Sequence, residues 1–343
     1  MFEPIVVPGL GKKPAVGLLS EEIAEWVHSQ PLRALVRRFG GEEPAGGLDA
    51  ELAYLDDFTT RRWNFRRYKE RNQVDAEAVT GADEQLVFAA ADALGLLRPR
   101  PPMYQHYDKV VVLGGLVRTV LWRTGYAAHL VRHGVTTDAI DAISASRELA
   151  RNEIDPSRDE YKLLSLFGLP HRNFEWEVME DCLRRAFGLP AFTVERQSGP
   201  DATGPVRYRV ASAEADANRV RLVVAPAYKS DRRANTADGY RYWASEVSGL
   251  QPGQQILAVT TSIYVPYQHA VALQNLGVPF TCGIDTVGVD FNVIDDSPSP
   301  QVFRGVHYLL ELRSAIRAYR DVVRLLREEA GSKCALHPIY PPS

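Results

Sequence analysis

Apolar and polar positions recur with helical spacing over the first hundred residues. The stretch SEEIAEWVHSQPLRALVRRF, residues 20–39, repeats apolar residues every three or four positions after a serine typical of a helix start. Comparable patterns cover LDAELAYLDDF and ADEQLVFAAADALGLL, residues 48–58 and 82–97. We therefore predict a helical N-terminal region over residues 1–100.

The pattern changes after RPRPP, residues 98–102, because proline cannot continue a helix. Apolar runs typical of buried strands then alternate with amphipathic helical stretches. These runs cover residues 110–113, 139–143, 220–225, 256–261 and 278–282. The alternation predicts a Rossmann-like α/β domain over residues 101–330, with three layers (α/β/α) and a mainly parallel sheet. The stretch VRYRV, residues 206–210, predicts an antiparallel hairpin strand, and a long helix closes the domain before a tail over residues 331–343.

Composition and charge indicate a small-molecule function. The 343 residues include 40 basic and 43 acidic side chains, a net charge of −3, so no overall field attracts nucleic acid or an anionic membrane. No window resembles a membrane span or a signal peptide, so we expect a cytoplasmic protein without a membrane or nucleic-acid partner. The three cysteines are far apart without ligand spacing, which predicts buried free thiols and no metal site. The cofactor and the oligomeric state stay open.

Two glycines, Gly114 and Gly115, follow the first predicted strand, and Arg118 and Arg123 lie on the helix after them. In open α/β sheets, ligands bind beyond the carboxyl ends of the strands, where glycine allows backbone amides to approach them closely. These residues predict an anion site, most simply for phosphate. The alternative is a tight strand-to-helix turn with solvated arginines.

Polar side chains also follow the other predicted strands. They are Ser144 and Arg147 after the second, Lys229, Arg232, Arg233, Asn235 and Thr236 after the third, and Thr261, Ser262 and Tyr264 after the fourth. Because parallel strands end at one edge of a sheet, we expect these groups to surround one anionic small molecule. Ordinary helix capping is the alternative, since Ser, Thr and Asn begin many helices.

Candidate proton-transfer groups are two glutamates and one histidine. Glu175 and Glu177 are two residues apart at a predicted helix start, so at most one faces the pocket. Such a carboxylate can act as a general base, or it can simply favour the helix N-terminus. His269 has a suitable intrinsic pKa, but it lies inside a helical pattern and can equally belong to the core.

The order of YDKVVVLGG, EWEVM, NTADG and ILAVTTSIY over residues 104–285 resembles the ElyC/SanA/YdcF family of bacterial domains. The resemblance implies a Rossmann-like fold with a polar pocket at the strand ends. It assigns the family's motif positions to Gly114 and Gly115, to Glu175 or Glu177, to Asn235 and Thr236, and to Thr261 and Ser262. Val265 and Gly239 depart from the family pattern, which implies a changed ligand or reaction.

The basic aromatic stretch RRWNFRRYKER, residues 61–71, admits three interpretations. It is a helix face with Trp63 and Phe65 in the core, a lid whose arginines reach the pocket, or a nucleic-acid platform of rings and cations. A stretch this short in a near-neutral chain favours the first.

The sequence therefore predicts an enzyme that binds a phosphorylated or nucleotide-like molecule. In this prediction Gly114, Gly115 and Arg118 bind the anion, Glu175 or Glu177 transfers a proton, and the polar residues of the later strand ends neutralise and orient the ligand. Hydrolysis or group transfer is favoured over redox chemistry, because neither a dinucleotide fingerprint nor a P-loop is present. The alternative is a non-catalytic protein that senses a metabolite in the same pocket.

Overall fold

The structure is a computed structural model that describes residues 2–65, 78–152, 159–198, 206–215, 218–228, 232, 234–294 and 302–335. Its helices are α1 (Val16–His28), α2 (Gln30–Arg38), α3 (Leu48–Arg62), α4 (Gly81–Ala93), α5 (Val117–Arg132), α6 (Glu160–Leu166), α7 (Glu175–Phe187), α8 (Thr236–Tyr242), α9 (Val265–Ala272), α10 (Val278–Phe280) and α11 (Gly305–Ala335). Its strands are β1 (His106–Tyr107), β2 (Lys109–Leu113), β3 (Thr136–Thr137), β4 (Ala139–Ser144), β5 (Thr193–Ser198), β6 (Tyr208–Ala215), β7 (Asn218–Val224), β8 (Gln255–Thr260) and β9 (Gly283–Gly288).

The helical pattern of residues 20–39 forms two helices rather than one. Helix α1 begins at Val16, so Ser20 lies inside it and donates its hydroxyl hydrogen to the Val16 carbonyl at 3.0 Å. Ser29 is extended and Pro31 stands at the start of α2. Proline has no amide hydrogen to donate to the preceding turn, which explains the break between the helices.

The fold is mixed α/β, with a mainly parallel sheet of seven strands. The strand order is β5-β6-β7-β4-β2-β8-β9, and the five strands from β7 to β9 in that order are parallel. Strands β5 and β6 add an antiparallel edge, and β6 pairs with β7 as the sequence predicts for a hairpin. Among the described residues, β1 and β3 form a separate parallel pair.

The last predicted strand is displaced along the chain. Residues 278–282 do not form a strand: a π-helical turn, Leu273–Gly277, continues from α9 and leads into α10 at Val278. Pro279 lies in the first turn of α10, where its missing amide costs nothing, whereas in a central strand it would remove a ladder hydrogen bond. The strand is the fully buried segment β9, GIDTVG.

Alternating residues of β2 belong to two hydrophobic clusters. Val111 packs in a cluster that includes residues of α1–α4, α8, α9 and α11, whereas Val110 and Val112 pack with residues of α5 and α7. Trp63 is fully buried in the first cluster, as expected, while residues 66–71 of the basic aromatic stretch lie outside the described residues. The N-terminal helices and the sheet therefore share one core.

Of the described helices, none is both long and apolar enough to cross a bilayer.

Candidate functional site

A cavity of about 500 Å³ lies at the carboxyl ends of the parallel strands. Strand β2 is central: the chain proceeds to β4 on one side of it and later to β8 on the other. This reversal of direction is where open α/β sheets bind ligands. Its walls come from the segments after β2, β4 and β8, from the entrances of α7 and α8, and from the first turns of α11.

Gly114 joins β2 to β4 at the base of the cavity. Its amide donates to the Ile143 carbonyl at 2.7 Å, so this amide is already bound within the protein. A Cβ atom at this position would lie 2.7 Å from the same carbonyl oxygen, which explains the glycine sterically. Gly115 also lines the cavity, beside Thr119 and Arg123.

Ser144, the last residue of β4, lines the cavity, and its hydroxyl group is buried in the wall. The side chain is 5% exposed, and its Oγ has no hydrogen-bond partner among the described residues. A buried polar atom without a partner costs about 1–3 kcal/mol, so natural proteins rarely keep one without a reason. Ser146 also has a buried hydroxyl without a partner in the described part of the chain, but it does not line the cavity.

Arg123 projects from α5 under the centre of the cavity. Its guanidinium donates to the carbonyls of Leu113 at 2.9 Å and Gly114 at 2.5 Å, and to Thr261 Oγ1 at 3.3 Å. The ring of Tyr264 lies 5.5 Å from the guanidinium carbon. Because Arg123 is 2% exposed and bound on several sides, its positive charge has a fixed position between β2 and β8.

The two candidate glutamates have different environments. Glu175 lines the cavity, is 5% exposed and pairs with Arg147 at 3.3 Å, and Arg147 lines the cavity as well. Glu177 instead accepts the amides of Asn173 and Phe174, both at 2.9 Å, and so caps α7. Of this pair, Glu175 is the one in the cavity wall.

Sequence reasoning missed Glu160, which caps the helix after the glycines. Its carboxylate accepts the Val117 amide at 2.7 Å, at the first residue of α5. Burial raises the pKa of Glu160 to about 7, and the negative charge of Glu175 also raises it, against the lowering effects of the Val117 amide and nearby arginines. The protein thus supplies its own carboxyl group at the helix N-terminus where Rossmann-type proteins bind phosphate.

Arg118 is not among the cavity-lining residues. Its guanidinium carbon lies 5.5 Å from the Phe167 ring centre and 5.8 Å from that of Trp122, and burial lowers its pKa. Aromatic faces attract guanidinium groups, which accounts for this position without a ligand.

The entrance of α8 contributes Arg232, Asn235 and Thr236 to the cavity wall. Asn235 accepts the Asp238 amide at 3.0 Å, and Asp238 in turn holds Arg232 through two hydrogen bonds. Burial is the largest single influence on the pKa of Asp238 and raises it. The contacts with Arg232 and Asn235 together outweigh burial, so the pKa is lowered. The predicted ligands Lys229 and Arg233 lie outside the described residues.

At the end of β8, Tyr264 and Tyr267 line the cavity, whereas Thr261 and Ser262 do not. Thr261 holds Arg123, and Ser262 lies against Gly288, where a Cβ would come within 2.4 Å of the serine hydroxyl oxygen. These two residues therefore shape the site from behind its wall.

His269 is a core residue. It is fully buried, its Nδ1 bonds with the Thr286 hydroxyl at 2.9 Å, and its Nε2 bonds with the Pro8 carbonyl at 3.0 Å. Burial lowers its pKa to about 4, so the ring is neutral at pH 7. His269 does not line the cavity.

The far wall of the cavity, near the start of α11, also went unpredicted. Phe303, His307 and Glu311 line it, and Glu311 is 3% exposed. The sequence does contain a signal for this wall, because His307 and Glu311 are four residues apart and interrupt the apolar face of the predicted helix. The described residues contain no group of three or more His, Cys, Asp or Glu side chains arranged for a metal ion.

Comparisons with known proteins find one family model that matches the N-terminal region and similar proteins in mycobacteria. The model of the Rv3785 N-terminal domain family matches residues 11–95. The uncharacterized proteins Rv3785 of Mycobacterium tuberculosis H37Rv and Mb3814 of Mycobacterium bovis are each 29% identical to the chain over 352 aligned residues, which cover 95% of this chain and 94% of each relative. No solved structure matches the chain significantly.

The resemblance to the ElyC/SanA/YdcF family is wrong, because these comparisons point to Rv3785 instead. The motifs behind it are short glycine, Ser/Thr and Asn patterns at strand-to-helix junctions. Such junctions need glycine for close packing and Ser, Thr or Asn for helix capping, so unrelated α/β proteins share these patterns.

Proposed function

We propose that the cavity at the strand ends binds a small anionic molecule, phosphorylated or nucleotide-like. The observation that carries the proposal is the Ser144 hydroxyl, buried without a partner in a wall that also holds Arg147 and Arg232. A hydroxyl donor beside guanidinium groups suits phosphate oxygens. The volume of about 500 Å³ is within the usual range for small-molecule sites.

We further infer a Rossmann-like three-layer arrangement for the domain. Across the sheet the parallel strands lie in the order β7-β4-β2-β8-β9, which is third, second, first, fourth and fifth in chain order, as in Rossmann folds. Residues on both faces of β2 belong to hydrophobic clusters. The family model ends at residue 95, which supports a boundary near residue 100 between the helical N-terminal region and the α/β domain. The buried free thiols of Cys182 and Cys282 support a cytoplasmic location.

For a reaction, hydrolysis or group transfer suits the cavity best. We assign the role of general base to Glu175, which pairs with Arg147 in the cavity wall. The carboxylate would accept a proton from water or from a ligand hydroxyl, while the arginines stabilise negative charge on the phosphoryl oxygens.

A non-catalytic metabolite sensor is the second candidate. Glu177 and His269 have structural roles, which favours this candidate. Of the three predicted proton-transfer groups, Glu175 alone lies in the described cavity wall. The two functions differ in whether a bound ligand is converted, which mass spectrometry of the ligand after incubation decides.

The binding proposal is tested by thermal shift with nucleotides, sugar phosphates and adenosyl cofactors. A ligand that binds only the folded chain raises its Tm, so at least one of these compounds should do so. Ser144→Ala should weaken that compound's affinity about tenfold, the value of one hydrogen bond to a charged group, without lowering the Tm of the free protein.

Ser146→Ala is the matched control, because it removes an equally unpartnered hydroxyl outside the cavity wall. The Ser146→Ala variant should bind the compound as tightly as the unmodified protein does. Equal affinities for both serine variants, or no shift with any compound, would refute the proposal.

A further inference from the structure

We propose that the ligand is a nucleoside phosphate whose base carries an amino group, with the base held against α11 and the phosphate held over β4 and β7. This inference rests on the proposed anion site and assigns the two ends of that site. It follows from the way the cavity's side chains are distributed along the strand order.

The two ends of the cavity differ in chemistry. Over β7 and β4 the wall includes the hydrogen-bonding residues Ser144 and Asn235 and the cations Arg147 and Arg232, with Glu175 paired to Arg147. Beyond β8 it consists of the aromatic residues Tyr264, Tyr267 and Phe303 with His307 and Glu311. Three strand spacings separate β7 from β8 in the sheet, about 14 Å, so an elongated ligand spans both ends.

The aromatic end has a geometry suited to a planar ring. Tyr264 and Phe303 are half-buried, with ring centres 6.3 Å apart and planes at 82°. The two rings contact each other edge to face, so a base would stack on one of them rather than between them. Stacking of a base on an aromatic side chain is worth about 1–3 kcal/mol.

Phe303 is fixed in place by the N-terminal region. The adjacent Arg304 pairs with Glu84 of α4 at 2.8 and 3.1 Å, and Glu84 also accepts the Gly305 amide at 2.9 Å. The hydrogen bond from Arg304 is the main cause of the lowered pKa of Glu84, so this contact is an ion pair at neutral pH. A ring held in this way stacks on a ligand with little loss of side-chain freedom.

Glu311 gives the aromatic end its preference among bases. The carboxyl oxygens of glutamate accept hydrogen bonds, and the amino groups of adenine, guanine and cytosine are donors. Uracil and hypoxanthine present carbonyl oxygens where cytosine and adenine present amino groups. A glutamate facing this position of the ring therefore favours the amino-bearing base of each pair.

The phosphate cannot occupy the position that dinucleotide-binding folds use. The first amide of α5 already donates to the Glu160 carboxyl group, which occupies that position. Ser144, Arg147 and Arg232 offer the alternative position on the β4 and β7 side.

Calorimetric titration of the full chain with two matched nucleotide pairs tests the inference. We expect adenosine 5′-monophosphate to bind at least tenfold more tightly than inosine 5′-monophosphate, or cytidine 5′-monophosphate than uridine 5′-monophosphate. The preferred nucleotide should also bind at least tenfold more tightly than ribose 5-phosphate. Glu311→Gln should abolish the preference within the pair, since the amide can donate as well as accept.

Phe303→Leu should weaken binding of the preferred nucleotide about tenfold and leave ribose 5-phosphate unchanged. Phe291→Leu is the control, because this half-buried ring packs on Trp122 away from the cavity. Binding of ribose 5-phosphate as tight as that of the nucleotides would overturn this inference and leave the anion site standing. Absence of binding by every phosphate compound would overturn both.

Discussion

Glu160 shows how one buried side chain makes stability depend on pH. Its pKa is about 4.5 in an unfolded chain and about 7 in the folded protein, chiefly because of burial. The folded state therefore binds the Glu160 proton more tightly than the unfolded state does. The stabilisation that this proton gives is complete below pH 4.5 and is lost as the pH rises through 7. The full shift corresponds to about 3 kcal/mol at most.

We predict that Glu160→Gln removes this dependence. The amide stays neutral, and its oxygen can still accept the Val117 hydrogen bond. Relative to the unmodified protein, the variant should become progressively more stable between pH 4.5 and pH 8. Urea unfolding of both proteins across this range measures the difference, and a difference that does not change with pH would contradict the assignment.

At the same scale, the sequence indicates which residue types surround the cavity better than which individual side chains line it. Four wall residues lie at element ends: Ser144 ends β4, Arg147 comes three residues later, and Asn235 and Tyr264 immediately precede α8 and α9. Arg118 is the second residue of α5, where the rings of Trp122 and Phe167 decide its direction. Phe167 comes from a distant segment, so its contact with Arg118 leaves no local pattern.

At the scale of elements, the turn from β2 into α5 depends on the absence of a side chain at Gly114. We predict that Gly114→Ala costs about 1–3 kcal/mol of unfolding free energy, because its Cβ would lie 2.7 Å from a backbone oxygen that cannot move without shifting β4. Gly115→Ala is the control, since its nearest neighbour is a Thr119 methyl group at 3.3 Å. Equal costs for both variants, measured by denaturant unfolding, would show that close strand packing is not the reason for Gly114.

Most strands of the sheet were predictable from apolar runs, since parallel strands are buried on both faces. Strand β9 was not, because GIDTVG contains two glycines, Asp285 and Thr286, which look like a turn. Asp285 is tolerated there because Arg100, the Met103 amide and the Tyr107 hydroxyl bind its carboxylate. These partners come from the segment after the N-terminal helices, so only the folded structure explains the strand.

At the scale of the whole molecule, α11 joins the N-terminal helices to the cavity. Its Tyr319 ring lies 5.2 Å from that of Trp26, Arg317 and Arg320 pair with Asp56, and its first turns carry His307 and Glu311. The helix itself was predictable from its amphipathic length. Its contribution to the site was not, because that depends on how α11 packs across the sheet.

The central claim is that an anionic ligand binds at the strand ends beside Ser144. A crystal structure of the chain with the nucleotide or sugar phosphate that raises its Tm most tests this directly. The account predicts a phosphate oxygen within about 3 Å of Ser144 Oγ, next to Arg147, and any base stacked on Phe303 or Tyr264. A phosphate bound at the start of α5 in place of Glu160, or a ligand outside the cavity, would contradict it.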